Sequence, residues 1–591
     1  MLEKLGLNDR VGLTRYAIRR GLIVPYRRGC LTAGMAHELR EPAAPFQTHE
    51  VANQPPPLEG RNLFTDNVAL VEALEREGAG WARERAVEVG AAWGAEPIGW
   101  GFEANEHPPK LKAFDRYGHR IDEVEFHRAW HDLMALGVRH ELHSLPWTSS
   151  QPGAHAARTA LYLTAVQAEG GFACPITMTF AAVPALRAQP QIAAEWEPRL
   201  TVRTYDPALR AGKASALCGM AMTEKQGGSD VRANTTVAEP LNGGGAGGEY
   251  ALTGHKWFCS APMCDLFLVL AQTDEGLGCF ALPRILPDGT RNAFHIQRLK
   301  DKLGNRSNAS SEIELHDAWA QLVGEPGRGV PTIIEMVGHT RLDCVIGTAA
   351  GMRWGVANAT WHAAHRSAFG KRLIEQPLMR NVLADLCIES EAATVLAMRL
   401  ARAYDESAAA GNHHARHFRR LATAIGKYWV CKRGPGHAFE ALECLGGNGY
   451  VEESGMPRLY REMPLNSIWE GSGSVMALDV LRALSRSPEV LNAYLDEVGE
   501  AAGADARLDA FAGRLREEFA DPAALESRAR RIVEHMALAL QGSLLVRHAP
   551  PAVADAFCAS RLAGDGGLQY GTLPPGADTQ AIIARHTPQP G

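Results

Sequence analysis

The hydrophobic period changes twice along the chain, and that double change constrains the fold more than any single motif. From residue 48 to 213 apolar residues recur three and four apart, the spacing of amphipathic helices. From 214 to 329 this gives way to short β-compatible runs separated by turn signals every 8 to 15 residues or so. After 329 the helical period returns and holds. A chain ordered α, β, α folds as separately packed bodies, not as one alternating βαβ sheet.

The first body is predicted to be mostly helical, over DNVALVEALEREGAGWARERAVEVGAAWG, 126–135, 153–169 and 190–200, with PITMTFAAVPALRA as a buried helix. The β body comprises ALCGMAMTE, ANTTVAEP, GEYALTGHKWFCSA, LFLVLAQT, GCFALPRIL, FHIQRLKD and SEIELHDAWAQLV. Their spacing predicts an antiparallel barrel or sandwich. The tract LNGGGAGGEY reads as a flexible hairpin loop; no Lys-Ser/Thr follows it, as a phosphate cradle requires. Long runs at 331–369, 376–410, 414–445 and 474–486 predict an antiparallel four-helix bundle. Further helical patterns at 496–519, 523–545 and 551–563 precede a Gly/Pro-rich end expected to fray.

The domains expected are therefore an extension (1–47), a helical domain (48–213), a β-barrel (214–329), a bundle (330–486) and a helical appendage (487–591). A chain of 591 residues exceeds one core, and about 150 residues per domain gives three or four. The extension is basic, with Lys4, Arg10, Arg15, Arg19, Arg20, Arg27, Arg28 and Arg40, but has no apolar signal-peptide core. It is read as disordered, with Met35 as an alternative start.

Composition excludes several function classes. A net charge of −6 gives no bulk argument for nucleic acid or membrane binding. Eleven cysteines without a C-x-x-C fit a reduced, cytoplasmic protein better than a disulfide framework or zinc site. No apolar run approaches the roughly 20 residues that span a bilayer. His413, His414 and His417 lack an acid partner for a metal, and His362 and His365 read as packing or surface residues.

Three stretches could carry chemistry. In RLYREMPLNSIWEGSGSVM, Glu470 stands between Trp469 and a Gly-Ser-Gly turn, with Ser472 as N-cap of the following helix. Burial would raise the pKa of Glu470 and the helix dipole would lower it, a balance suited to a general base. Read alone, Glu470 is equally well a helix-capping acid. MAMTEKQGGSDVRANTT holds hydroxyls and glycines that could meet a flat ligand, although an ordinary polar turn is the simpler reading. GHKWFCSAP offers Trp257, Phe258 and Ser260 to a planar cofactor, or to a strand core.

Taken together, TEKQGGSD, GHKWFCS, KLGNRSNASSEIEL, HRSAFGKRLIEQ, LGGNGYVEES and RLYREMPLNSIWEGSG occur in the order and spacing of the acyl-CoA dehydrogenase family, over roughly 48–486. Their wording, the stretch from Gln47 and the extra C-terminal region resemble the AidB branch, the alkylation-response flavoproteins. The resemblance implies an N-terminal helical domain, a central barrel and a C-terminal bundle, with FAD between barrel and bundle. Met222, Thr223, Gly228 and Ser229 match the loop that touches the flavin ring. Phe258 matches the stacking aromatic, and Cys259 and Ser260 next to it are expected to bind the cofactor as well. Arg366, Phe369 and Gln376 match a motif that contacts the FAD of a neighbouring subunit, which implies a homotetramer. Gly446, Gly447 and Gly449 match the turn at the cofactor's far end, and Asn466, Trp469 and Ser472, which flank the catalytic position, are expected to bind the cofactor too. Glu470 aligns with the base that removes the α-proton of an acyl thioester. The alternative base position of some members is here Thr340, before Arg341, which favours Glu470.

The AidB resemblance also implies double-stranded DNA binding by the C-terminal region, with weak or specialised dehydrogenase activity. From Arg486 onward, however, ten arginines and no lysine face fourteen acids. Any DNA face is therefore local, with Arg514 and Arg516 on one helix and Arg528, Arg530, Arg531 and Arg547 on or beside another. Interleaved glutamates make a salt-bridged surface the competing reading. A conventional dehydrogenase for a short or branched acyl-CoA, and a scaffold that keeps FAD for structure, are the alternatives.

Overall fold

A computed structural model describes residues 48–409, 411–520 and 524–589; the expected extension, Met35 included, lies outside the described residues. Contacts divide the chain into two units, Met1–Ala52 and Asn53–Gly591, and every described helix and strand belongs to the second.

The N-terminal part of that unit packs helices α1 (Val68–Arg76), α2 (Arg83–Trp93), α3 (Glu96–Glu106), α4 (Arg128–Arg139), α5 (Ala154–Ala165), α6 (Ala173–Leu186) and α7 (Pro190–Leu200). Asn67 starts α1 by accepting from Leu70 N, and Pro190 opens α7 at a position that needs no N–H. The alanine-rich α5 is buried on all sides. The antiparallel hairpin of β1 (Lys110–Phe114) and β2 (Arg120–Glu125) was not foreseen.

The strands foreseen between 214 and 329 all form: β3 (Cys218–Ala221), β4 (Val237–Pro240), β5 (Glu249–Ser260), β6 (Leu266–Thr273), β7 (Gly276–Pro283), β8 (Phe294–Leu299) and β9 (Ser310–Leu322). Pairings run β6–β4–β5–β9–β7 and back to β6, so five strands close a ring. The wholly antiparallel expectation needs correction, because β6 pairs in parallel with β3 and with β4. Strands β3 and β8 flank the ring, each paired on one side. The β1–β2 hairpin lies along β8, where Arg120 Nη2 donates to Ile296 O at 3.0 Å and Asp122 accepts from Ile296 N. The Gly-rich tract is the β4–β5 connection, held by Gly245 N on the Tyr250 hydroxyl and Gly247 N on Leu322 O.

The bundle consists of α8 (Gly329–His365), α9 (Pro377–Ala408), α10 (His413–Glu443), the short α11 (Met456–Glu462) and α12 (Gly473–Arg486). Helix α8 packs on α6, α9 and α10. A buried pair, Arg158 with Asp343, joins α5 to α8, with Arg158 Nη2 2.7 Å from Asp343 Oδ2. Asp405 of α9 accepts from the first amides of α5, His155 N and Ala156 N.

Beyond the bundle lie α13 (Glu489–Gly499), α14 (Ala506–Ala520), α15 (Leu525–His548), α16 (Pro551–Phe557) and α17 (Thr579–His586). The helix expected over 496–519 is two helices, broken where Gly503 takes a left-handed φ of 79° and its N–H is held by Asp509. The end expected to fray is docked. Arg585 bridges Glu72 of α1 and Glu391 of α9, His586 Nε2 lies 2.8 Å from Glu391, and Arg353 donates to His586 O. No helix among the described residues is long and apolar enough to cross a membrane.

Candidate functional site

A cavity of about 1000 Å³ opens between the barrel loop 222–232, helices α6 and α8, and the segment Asn466–Ser472. Glu470 lies on its wall. The residue adopts a left-handed φ of 59°, and its carboxylate Oε2 accepts from Thr340 Oγ1 at 2.7 Å. Arg341 Nε donates to the carbonyl of Glu470 at 3.0 Å, and Lys427 holds the next carbonyl, that of Gly471. Burial raises the pKa of Glu470, opposed by Thr340, Arg341 and Lys427. The capping reading fails on this geometry, since the carboxylate is tied to α8 and not to the first amides of α12. Ser472 occupies the N-cap position but its hydroxyl makes no capping bond; it faces the cavity instead. Trp469 Nε1 donates to Asn466 Oδ1 and Asn466 Nδ2 to Thr348, which fixes both side chains at the wall.

Across the cavity stand Met222, Thr223, Gly228 and Ser229. Their loop is stapled by Glu224, fully buried, which accepts from Thr235 and Thr236 through both backbone and hydroxyl, and from Lys256 Nζ at 2.6 Å. Glu224 stands inside the TEKQGGSD motif, yet nothing in the sequence alone gives it this role. Gly228 keeps the loop tight, because a Cβ there would fall 2.3 Å from Thr223 Oγ1. Phe258 and Ser260 of β5 also face the cavity. Cys259 does not: alternate residues of a strand point to opposite faces, so its thiol is buried in the barrel, where burial pushes it up to about 12. Lys300 Nζ sits 3.7 Å from the Trp257 ring centre and 4.5 Å from that of Phe258.

A polar cluster on the cavity wall is a further feature that the sequence did not announce. Glu462 accepts from Asn305 N at 2.7 Å, and burial together with nearby Glu169 pushes its carboxyl up to about 7. Lys302, held down to about 8 by burial, donates to Asn308 O and Ser310 Oγ. Glu462 lies inside the RLYREMPLNSIWEGSG motif, so only its tertiary neighbours were hidden.

The remaining predicted residues lie away from the cavity. Arg366, Phe369 and Gln376 sit on and beside a small hairpin, Ser367–Ala368 with Lys371–Arg372. There Arg366 donates to Asn53 O, Gln376 to Ala368 O, and Phe369 is 98% exposed. Gly446, Gly447 and Gly449 form a 3₁₀ turn; a Cβ on Gly449 would meet Leu442 O, while 446 and 447 face open space. In the appendage, Arg531 pairs with Glu518 and Arg547 with Glu497, both at 2.6 Å. Arg514 donates to Leu562 O and Arg530 to the Tyr428 hydroxyl, Arg516 is exposed, and Arg528 is half-buried on α15. Among the described residues no His, Cys, Asp and Glu side chains gather as metal ligands.

Comparison with known proteins places the three bodies. Residues 53–207 match the adaptive response protein AidB N-terminal domain, 219–318 the acyl-CoA dehydrogenase middle domain, and 327–485 its C-terminal domain. The chain is 46% identical over 529 residues to the putative acyl-CoA dehydrogenase AidB of Escherichia coli K12, covering 89% of this chain and 96% of that protein. It is 30% identical over 422 residues to acyl-CoA dehydrogenase family member 11 of Caenorhabditis elegans, 68% of this chain and 67% of that one. The crystal structure of C. elegans ACDH-11 in complex with C11-CoA superposes with a TM-score of 0.79 at 26% identity, over 87% of this chain and 94% of that chain. A Bacillus anthracis acyl-CoA dehydrogenase complexed with FAD shares the fold, with a TM-score of 0.57 at 17% identity over 78% of this chain and 79% of that one. Closed barrel, bundle and a carboxylate between them thus coincide with three matched domains and one full-length relative. The chain belongs to the acyl-CoA dehydrogenase family of FAD-dependent oxidoreductases, in the branch that carries the AidB N-terminal domain.

Proposed function

We propose that the cavity holds FAD and an acyl thioester, and that Glu470 is the base that removes the α-proton. The observation that carries this reading is Glu470 itself, a carboxylate on the cavity wall, fixed by Thr340 and raised by burial. The residues fit a flavin. Phe258 offers a half-exposed aromatic face, Thr223 and Ser229 offer hydroxyls, and Gly228 allows close backbone approach. Bound FAD would supply the hydride acceptor that no side chain can provide. Glu470 takes the proton in its ionised form, and Thr340 orients the carboxylate. Arg366, Phe369 and Gln376, which do not line their own subunit's cavity, fit a role at a second subunit's cofactor within a homotetramer.

The test is the visible spectrum of the purified protein, followed by anaerobic addition of acyl-CoA. The expected result is a flavin spectrum that bleaches in wild type and not in Glu470→Gln. A variant that bleaches as fast as wild type removes Glu470 from the role, and a protein that cannot be loaded with flavin removes the whole reading.

Duplex DNA is the second partner in this reading, in the setting of an alkylation response. Exposed Arg514, Arg516, Arg530 and Arg531 lie on the adjacent helices α14 and α15, with Arg528 beside them. Ion pairing of Arg547 with Glu497 and of Arg531 with Glu518 takes those two out of the face, and Arg530 is its test residue. Affinity for duplex DNA should fall steeply with salt and weaken in Arg530→Ala. Salt-insensitive binding, unchanged in that variant, rejects the DNA part alone.

A further inference from the structure

The loop that carries Glu470 runs against the ordinary preference of its backbone. Glu470 and Gly471 both take positive φ, 59° and 110°. A residue with a side chain rests in that region only where its surroundings hold it there. Two buried cations from two helices do the holding. Arg341 of α8 grips the carbonyl of Glu470, and Lys427 of α10 grips that of Gly471.

The two charges are not equally engaged. Arg341 Nη1 pairs with Asp479 of α12, which also takes Arg420 of α10. Lys427, 1% exposed, enters no ion pair among the described residues, and its hydrogen-bond partner is a neutral carbonyl. An ammonium buried without a counter-ion is costly, so its charge needs a destination nearby. The thiols around the pair, Cys174 on α6, Cys344 on α8 and Cys431 on α10, are pushed up by burial and stay neutral. Lys432 is exposed beside Gly473, and Asp230 and Arg232, on the barrel loop of the cavity, carry opposite charges. Glu470 is the acid left for Lys427, whose charge helps hold that carboxyl down against burial.

We propose that Lys427 is the positioning residue of Glu470: it locks the turn that presents the carboxylate, and it supplies the positive charge that balances the carboxylate once substrate has displaced water. Lys427 does not line the cavity, so it acts through Glu470 and not on a ligand. The inference rests on the reading of Glu470 as the base and adds what keeps that base in place and ionised.

The test follows anaerobic flavin reduction by acyl-CoA against pH in the flavin-loaded protein, for wild type, Lys427→Gln and Lys427→Met. A parallel infrared titration of the carboxylic-acid stretch reads the carboxyl directly on flavin-free protein, each form measured against its own Glu470→Gln counterpart. Glutamine keeps a donor for the Gly471 carbonyl without the charge. Its acid limb and its infrared titration should both move up by about one pH unit, the scale of a neighbouring charge removed. Reduction below the limb should then be roughly tenfold slower, with the limiting rate above it kept. Methionine loses donor and charge together, so its limiting rate should fall as well. A limb and a carboxyl titration that stay in place in both variants overturn the role of Lys427, while a slow Glu470→Gln protein leaves the base reading standing. A Glu470→Gln protein as fast as wild type overturns both. Should Lys427→Met fail to fold, Lys427→Gln decides alone.

Discussion

Thr340 Oγ1 lies 2.7 Å from Glu470 Oε2, although the two residues are 130 positions apart in the chain. The neighbouring Arg341 holds the Glu470 carbonyl, so one turn of α8 fixes both the carboxylate and the backbone that presents it. One hydrogen bond thus joins the carboxylate proposed as the base to a hydroxyl on α8.

That bond sets a pH dependence. Burial raises the pKa of Glu470 and the Thr340 bond opposes the rise. The base works ionised, so flavin reduction by acyl-CoA should weaken as pH falls through the raised pKa. Thr340→Val removes the opposing bond and should move the acid limb of the kcat/KM profile to higher pH. A limb that stays in place disconnects Thr340 from the carboxylate.

Gly228→Ala should impair cofactor retention more than stability. The added Cβ would meet Thr223 Oγ1 at 2.3 Å, so the threonine must turn from the cavity or the loop must shift. The ratio of flavin to protein absorbance after gel filtration should drop several-fold, with thermal unfolding of the flavin-free protein little changed.

Glu224→Ala should cost about 3–5 kcal/mol, because it leaves Lys256 buried without its partner. Burial alone would raise the pKa of Glu224, but the bonds from Lys256, Thr235 and Thr236 outweigh it and hold the carboxyl well below its usual range. Its contribution is therefore present above the unfolded carboxyl pKa of about 4.3 and lost as pH falls below it. Urea unfolding should show a wide gap between wild type and variant at pH 7 that narrows in acid.

The docking of α17 should loosen in mild acid. Burial lowers the pKa of His586, with Glu391 pulling the other way, so protonation is disfavoured in the docked state. Stability present at neutral pH is lost as pH falls below the unfolded histidine value of about 6.5. Hydrogen exchange of residues 579–586, corrected for intrinsic rate, should quicken between pH 7.5 and 5.5, and Glu391→Ala should quicken it at both. Protection that stays level across that range places the clamp elsewhere.

The order of the three bodies and all the strands between 214 and 329 were legible in the sequence, because their periods differ and each run buries a full face. The long bundle helices were legible for the same reason. Less visible were features fixed by tertiary contact. The β1–β2 hairpin is short and half-exposed, so it carries little alternation. Docking of α17 depends on Glu72 and Glu391, hundreds of residues away. At the site, Glu470, Thr223, Gly228 and Phe258 were readable from motif wording as cavity-wall residues, whereas Glu224, Glu462 and Lys302 acquire meaning only from what surrounds them. Cys259 was misassigned by proximity in sequence, against the alternation of a strand.

The small hairpin has a consequence for the solution behaviour of the molecule. Ring closure leaves five strands without open edges, but among the described residues β8 pairs only with β9 and would otherwise expose a row of backbone donors and acceptors. Arg120 and Asp122 cap that row at Ile296 with a carbonyl bond and an amide bond. Unpaired edges of this kind recruit strands from other copies. The β1–β2 hairpin thus acts as a guard against aggregation, and a chain that lost it would keep its cavity while growing prone to self-association through β8.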